Sequence, residues 1–234
     1  MISLDIRGFV DTSLVDWKGK VVSTVFTAGC NFKCPFCFNV DLVYNFNKLD
    51  VIPEEKVIEF LKKNLKFIDG VAVIGGEPTL QKDLPEFCEK VKNLKLKVRI
   101  FTNGTDPDMI KKLIDEKLVD SVAMDVKAPL KKEKYDELAG VSVDLNEIKK
   151  SISIIKESGI DYEFITTVIP TLLSERDIEE ITKYLKNSKK YVLHRFLPEN
   201  ACDKRLRSLK TQTDEEMERL ASVANKYIKN VSWH

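Results

Sequence analysis

Short runs of β-branched and apolar residues recur along the chain: VVSTVF (21–26), VAVI (71–74), KVRIF (97–101), SVAMD (121–125), YEFITTVI (162–169) and YVLHRF (191–196). Such runs, bounded by turn-forming residues, predict strands covered on both faces. Between them apolar residues return every three or four positions, the period of an amphipathic helix. After Pro53, the residues Val57, Phe60, Leu61, Leu65 and Ile68 share one face. A second helix is predicted near 84–93, and a third opens at Asp106, with Pro107 in its first turn, and carries Met109, Ile110, Leu113 and Ile114. Three later helices open on capping-box patterns, Asp144 with Glu147, Ser174 with Asp177 and Thr213 with Glu216; the second is looser because Asp replaces Glu or Gln. Gly159 is placed to end the helix that bears Ile148, Ile152 and Ile155.

Six β/α units in series predict an α/β fold with a parallel sheet wound by right-handed crossovers. Six are too few to close an eight-stranded barrel, which leaves an open doubly wound sheet or a partial barrel. No low-complexity linker divides the 234 residues, so a single domain over 1–234 is expected, with residues 1–20 and 200–212 peripheral and a helix near the C-terminus.

Charge narrows the partners. With 38 basic against 37 acidic residues and a net charge of +1, nothing global draws the chain to nucleic acid or to a membrane surface. The one local basic run, Lys204, Arg205, Arg207 and Lys210, reads first as solvated surface. The N-terminus has no basic stretch leading into an apolar run, and no segment approaches the roughly 18 apolar residues of a spanning helix. A cytoplasmic location is expected, and there clustered cysteines serve more often as metal ligands or redox groups than as disulfides.

Three of the five cysteines, Cys30, Cys34 and Cys37, fall within "TAGCNFKCPFCFN" (27–39). Gly29, Asn31 and Pro35 are poor helix residues and keep the segment a loop, on which spacings of four and three bring three thiolates to one focus. Structural zinc takes four ligands, often in paired Cys-x2-Cys units, and Cys88, Cys202, His194 and His234 offer no such pairing. Clustered thiols beside Lys33 also suit an apolar core poorly. A four-iron cluster held by three thiolates would keep one iron open to a small molecule.

In parallel β/α folds ligands meet the carboxyl ends of the strands. The cysteine loop follows the first predicted strand, GGEPT (75–79) the second, TNG (102–104) the third and DVKAP (125–129) the fourth. Gly75 and Gly76 admit a close backbone approach, and Glu77 can order neighbouring donors. Asn103 and Gly104 suit a turn, Asp125 can accept from ribose hydroxyls and Lys127 can meet a carboxylate.

The Cys-x3-Cys-x-aromatic-Cys pattern, with Phe36 in the aromatic position, resembles the signature of the radical S-adenosylmethionine (SAM) superfamily. GGEP resembles that superfamily's second signature. "GFVDTSLVDWKGKVVSTVFTAGCNFKCPFCFN", "GGEPTLQ", "TNG", "MDVKAP" and "EFITTVIP" resemble the glycyl-radical enzyme activating enzymes, nearest to activators of anaerobic ribonucleotide reductase and further from those of pyruvate formate-lyase. The resemblance implies a partial (β/α)6 TIM-like barrel as a radical SAM core over about residues 20–200. It implies a [4Fe-4S] cluster on Cys30, Cys34 and Cys37 whose fourth iron binds SAM. The SAM pocket would be made by Phe36, Cys37, Phe38, Gly75, Gly76, Glu77, Asn103, Asp125, Val126, Lys127, Ala128 and Pro129.

The implied reaction takes one electron from reduced flavodoxin or ferredoxin, cleaves SAM to a 5′-deoxyadenosyl radical and abstracts hydrogen from a glycine of a partner glycyl-radical protein. Where relatives carry Pro, His and Arg, this chain has Lys18, Phe38 and Ile165, so Lys127 or Arg195 is left to neutralise the SAM carboxylate. Phe101 stands where some activators carry an acidic residue. Two other readings remain: a radical SAM enzyme acting on a small molecule or tRNA base, and a non-catalytic zinc-binding interaction module.

Overall fold

A computed structural model describes residues 3–234. In chain order its elements are β1 (Ile6–Ser13), β2 (Val22–Thr27), α1 (Val40–Tyr44), α2 (Glu54–Lys63), β3 (Gly70–Gly75), α3 (Leu84–Asn93), β4 (Lys97–Thr102), α4 (Pro107–Asp115) and β5 (Ser121–Asp125). There follow α5 (Lys132–Ala139), α6 (Leu145–Glu157), β6 (Asp161–Val168), α7 (Glu175–Tyr184), β7 (Tyr191–Arg195), α8 (Asp214–Asn225) and β8 (Val231–Trp233). The eight strands form one mostly parallel sheet in the order β1 to β8. The α/β class predicted from the alternating runs is therefore present, and the six predicted strands are β2 to β7. Two further strands lie at the edges: β1 pairs antiparallel with β2, and β8 pairs parallel with β7. Neither has a clear pattern, because an edge strand is covered less and need not alternate strictly.

The chain divides into two compact units. The first holds residues through Asn31, Asn39–Thr102 and Asp106–Ala123. Here β2 and β3 pair from Val22↔Gly70 to Thr27↔Gly75, and β3 and β4 from Gly70↔Lys97 to Val73↔Ile100. That register puts Val25, Val71, Val73, Val98 and Ile100 on one face, all fully buried. Each such side chain contributes on the order of 1.5–3 kcal/mol. The other face carries a small cluster of Trp17, Val22 and Ala72, with Phe101 packed against it. Helix α2 ends at Lys63, short of the predicted face: Asn64 caps it, Leu65 is exposed and Ile68 is buried beyond the helix. The Asp106 side chain caps α4 by accepting from the Met109 amide at 2.9 Å, with Pro107 in the first turn.

The second unit holds Phe32–Phe38, Asn103–Thr105 and Met124–His234. Strands β6 and β7 pair from Phe164↔Tyr191 to Val168↔Arg195. Helix α6 buries Ile148, Ile152 and Ile155, and Gly159 follows it at φ +78°, a left-handed conformation that suits glycine. The looser Ser174/Asp177 pattern makes a complete capping box, as does Thr213/Glu216. Asp144 caps by accepting from the Asn146 amide, but Glu147 turns to Lys150 at 2.7 Å instead of closing the box. Among the described residues no helix is long and apolar enough to cross a membrane.

Candidate functional site

The first unit builds its part of the site from the ends of β2 and β3. The Gly76 amide donates to the Thr27 carbonyl at 2.9 Å and the Glu77 amide to the Gly29 carbonyl at 2.7 Å, so GGEPT is laced to the start of the cysteine loop. Asn39 Nδ2 donates to Gly75 O at 3.0 Å, and Gln81 Nε2 to Ala28 O at 2.8 Å. Gly75 adopts φ +127°, and a Cβ on Gly76 would lie 1.7 Å from the Gly29 oxygen. The glycine pair is thus required by the packing of the chain on itself. Glu77 is 1% exposed, and its Oε1 accepts from the Thr79 amide (3.1 Å), Thr79 Oγ1 (2.6 Å) and Thr102 Oγ1 (2.7 Å). One buried carboxylate therefore orders its own turn and the end of β4. Cys30 is half-buried in this unit.

The second unit holds the rest of the cysteine loop. Cys34 and Phe36 are buried and Cys37 is half-buried, while Phe38 is 67% exposed. The Cys37 amide donates to the Cys34 carbonyl at 3.0 Å, which closes a turn between the two thiols. Two remote segments grip this loop. The Lys33 amide donates to Ala139 O at 2.8 Å at the end of α5, where Gly140 (φ +68°) packs so tightly that a Cβ would stand 2.1 Å from Lys33 O. On another side, the Cys202 amide donates to Cys37 O at 3.0 Å and the Asp203 amide to Pro35 O at 2.8 Å.

The DVKAP segment leaves β5 in the same unit. The Val126 amide donates to Ile165 O at 2.8 Å, and Val126 O accepts from Thr166 Oγ1 at 2.7 Å, which in turn accepts from Tyr191 OH at 2.8 Å. Lys127 Nζ lies 2.9 Å from Asp125 Oδ2 and 5.7 Å from the centre of the Phe36 ring. Burial works against the Lys127 charge, but Asp125 and the Cys34 thiolate outweigh it and raise its pKa. Ala128 and Pro129 are buried, and Asn103 Oδ1 accepts from the Thr105 amide and hydroxyl, closing a local turn. Ile165 is 3% exposed, and the Arg195 guanidinium is bonded to Asp214 and lies 5.0 Å from the centre of the Trp233 ring.

His194, on β7, has its ring 4.6 Å from that of His234. Burial pushes its pKa down to about 4, with His234 and Lys127 adding to the effect and Asp125 and Glu163 opposing it. The folded imidazole stays neutral where the unfolded one, near 6.5, takes a proton. Stability from this group is complete above pH 6.5 and is lost as pH falls from there towards 4, by roughly 3 kcal/mol. Urea unfolding at pH 7.5 and 4.5 checks this: the wild type is expected to lose roughly 2–3 kcal/mol more than His194→Gln.

Of the residues singled out from the sequence, Cys30, Gly75, Gly76 and Glu77 thus fall in the first unit, and Cys34, Phe36, Cys37, Phe38, Asn103 and Asp125–Pro129 in the second. The residues missed are Asn39, Gln81, Ala139, Gly140, Cys202 and Asp203, most of which act through backbone groups. Asn39 and Gln81 lie within the quoted segments and could have been found there; an amide–carbonyl contact from residue 202 to residue 37 leaves no mark in side-chain pattern.

A Cys-x3-Cys-x2-Cys loop presents soft sulfur donors suited to iron–sulfur or zinc. Among the described residues no three His, Cys, Asp or Glu side chains are gathered as a metal-holding group, so assignment of the thiols as ligands rests on pattern and kinship.

Kinship is clear. A protein of Methanocaldococcus jannaschii, carried under the provisional name of glycyl-radical enzyme activating enzyme, is 37% identical over 232 residues, spanning 97% of this chain and 94% of its own. GTP 3′,8-cyclase of Helicobacter pylori is 29% identical over 92% of this chain and 66% of its own. Among solved structures, Streptococcus suis SuiB bound to its precursor peptide SuiA matches with TM-score 0.70 at 18% identity, over 90% of this chain and 48% of that one. SuiB bound to S-adenosylmethionine matches at 0.68 and 18%, over 88% and 48%, so this chain spans about half the length of the solved protein. The Radical SAM superfamily profile covers residues 24–186. The chain therefore belongs to the radical SAM superfamily, whose members use a [4Fe-4S] cluster and S-adenosylmethionine.

Proposed function

We propose that this chain is a glycyl-radical enzyme activating enzyme, acting through one radical SAM domain. The observation that carries this reading is the nearly end-to-end likeness, 97% of one chain and 94% of the other, to the methanogen protein of that provisional name. The residues present suit the cofactors. Cys30, Cys34 and Cys37 would hold the cluster, as the soft donors of one Cys-x3-Cys-x2-Cys loop. Gly75, Gly76, Glu77, Asn103, Asp125–Pro129, Phe36 and Phe38 would line the SAM pocket. Held by these residues, the cluster and SAM would supply one-electron reduction and radical hydrogen-abstraction chemistry. The chain's own task is orientation. It holds the GGEPT turn through Glu77, the cysteine loop through Ala139, Cys202 and Asp203, and Lys127 through Asp125.

Likeness to GTP 3′,8-cyclase over 92% of this chain favours a small-molecule substrate as the second reading. The zinc-module reading gives way, because the family is one of iron–sulfur enzymes.

The test is anaerobic. Protein reconstituted with iron and sulfide is reduced with dithionite and mixed with SAM and a glycyl-radical protein from the same genome. A new organic doublet in the partner's EPR spectrum is the expected result. Deoxyadenosine formed with no partner radical, while a nucleotide or tRNA base is consumed, overturns the proposal in favour of the second reading.

A further inference from the structure

We infer that the strap over residues 198–210 is the docking surface for an acidic one-electron carrier protein, and that it delivers the electron to the cysteine loop. Two turns of 3-10 helix, Pro198–Asn200 and Lys204–Ser208, form the strap. It is anchored at both ends. Ala201 is fully buried, Thr211 Oγ1 donates to Phe196 O at 2.6 Å, and the largely buried Gln212 donates through Nε2 to Val168 O at 2.8 Å. Between the anchors, the Cys202 and Asp203 amides bind the carbonyls of Cys37 and Pro35.

The strap's outer side is basic. Lys204, Arg205, Arg207 and Lys210 are all exposed, against the carboxylates Glu199 and Asp203. Asp203 is held by Arg205, with Nη2 to Oδ2 at 2.6 Å, and Arg207 Nε braces Ala201 O at 2.8 Å. Lys204 and Lys210 stand at the two ends of the run. The exposed Leu197 (56%) adds an apolar contact at the head of the strap. An apolar contact with a charged rim is the usual anatomy of a transient protein interface.

Two facts select the occupant. A cation-rich surface on a chain of net charge +1 attracts acidic proteins locally. The strap is also one hydrogen bond from Cys37, so a carrier docked there lies close to the cysteine loop, and electron transfer falls steeply with distance. The step is a single electron from a reduced flavin or iron–sulfur carrier into the oxidised [4Fe-4S] cluster, which goes from the 2+ to the 1+ state with no proton moved. This inference needs only the family's chemistry and holds for either substrate.

The test compares cluster-loaded wild type with Lys204→Glu/Lys210→Glu, which leaves Arg205, Arg207 and the anchors in place. The probe is a purified acidic flavodoxin-class protein, photoreduced, with cluster bleaching followed by stopped flow and affinity by calorimetry. Expected are binding weaker on the order of tenfold and carrier-driven reduction slowed to match, with dithionite-driven reduction unchanged. The wild-type rate should also fall as salt rises well above 0.1 M, where the Debye length is about 10 Å; this measurement stands even where the variant folds poorly. Reduction of the variant by the carrier at the wild-type rate overturns the proposal. So does loss of binding to a tRNA probe with carrier-driven reduction intact, which would make the strap a nucleic-acid surface. Neither readout involves a glycyl-radical protein, so failure here is separable from failure of the proposed function.

Discussion

Replacing Cys34 with alanine is expected to abolish reductive cleavage of SAM and to strip the reconstituted protein of most of its iron. Cys34 is the buried member of the three clustered thiols, 7% exposed, and its thiolate is one of the charges that support Lys127. The variant removes one of the three proposed ligands and one anion beside a half-buried cation, so both cluster assembly and the pairing of Lys127 with Asp125 are expected to suffer. Iron content, the visible absorbance of the cluster and deoxyadenosine yield report the first effect. Cys88→Ala is the control. Cys88 is fully buried within α3, and burial pushes its thiol up to about 12, so it is a neutral packing group. Its loss should cost roughly 1 kcal/mol of stability and leave iron content unchanged. Normal SAM cleavage by Cys34→Ala would remove the cysteine loop from the cluster assignment.

Gly76→Ala is expected to destabilise the protein by more than about 3 kcal/mol, because the new methyl would lie 1.7 Å from the Gly29 oxygen and backbone must move to admit it. Displacing Gly29 also disturbs its carbonyl, which accepts from the Glu77 amide, so the turn that Glu77 organises should open with it. Gly19→Ala offers a contrast. At φ +78° with nothing within 4 Å of the added Cβ, it carries only the conformational penalty, roughly 1 kcal/mol. Urea denaturation of both variants separates steric collision from backbone strain; equal, small losses would mean that the close approach at Gly76 relaxes freely.

Much of the fold was legible in the chain. The six central strands announced themselves because they are covered on both faces and therefore run apolar without interruption, as VAVI and SVAMD do. Caps were legible because a Ser or Thr three residues before an acid is a local device, and even the weaker Ser174/Asp177 pair closes its box. Less legible were β1, an edge strand interrupted by Gly8, and the end of α2, where Leu65 continues the helical period but is exposed.

The candidate site divides along the same line. The sequence by itself determined the chemistry on offer: three soft ligands at spacings of four and three, a glycine pair after a buried strand, and an Asp–x–Lys segment after another. These are statements about neighbours along the chain, and covalent connectivity enforces them. Tertiary structure alone decided that Glu77 orders the end of β4, that Gly140 presses against Lys33, and that Cys202 and Asp203 grip the cysteine loop. Most of these contacts join backbone groups distant in sequence. Every residue but proline carries the same amide and every residue the same carbonyl, so only folding selects which of them meet.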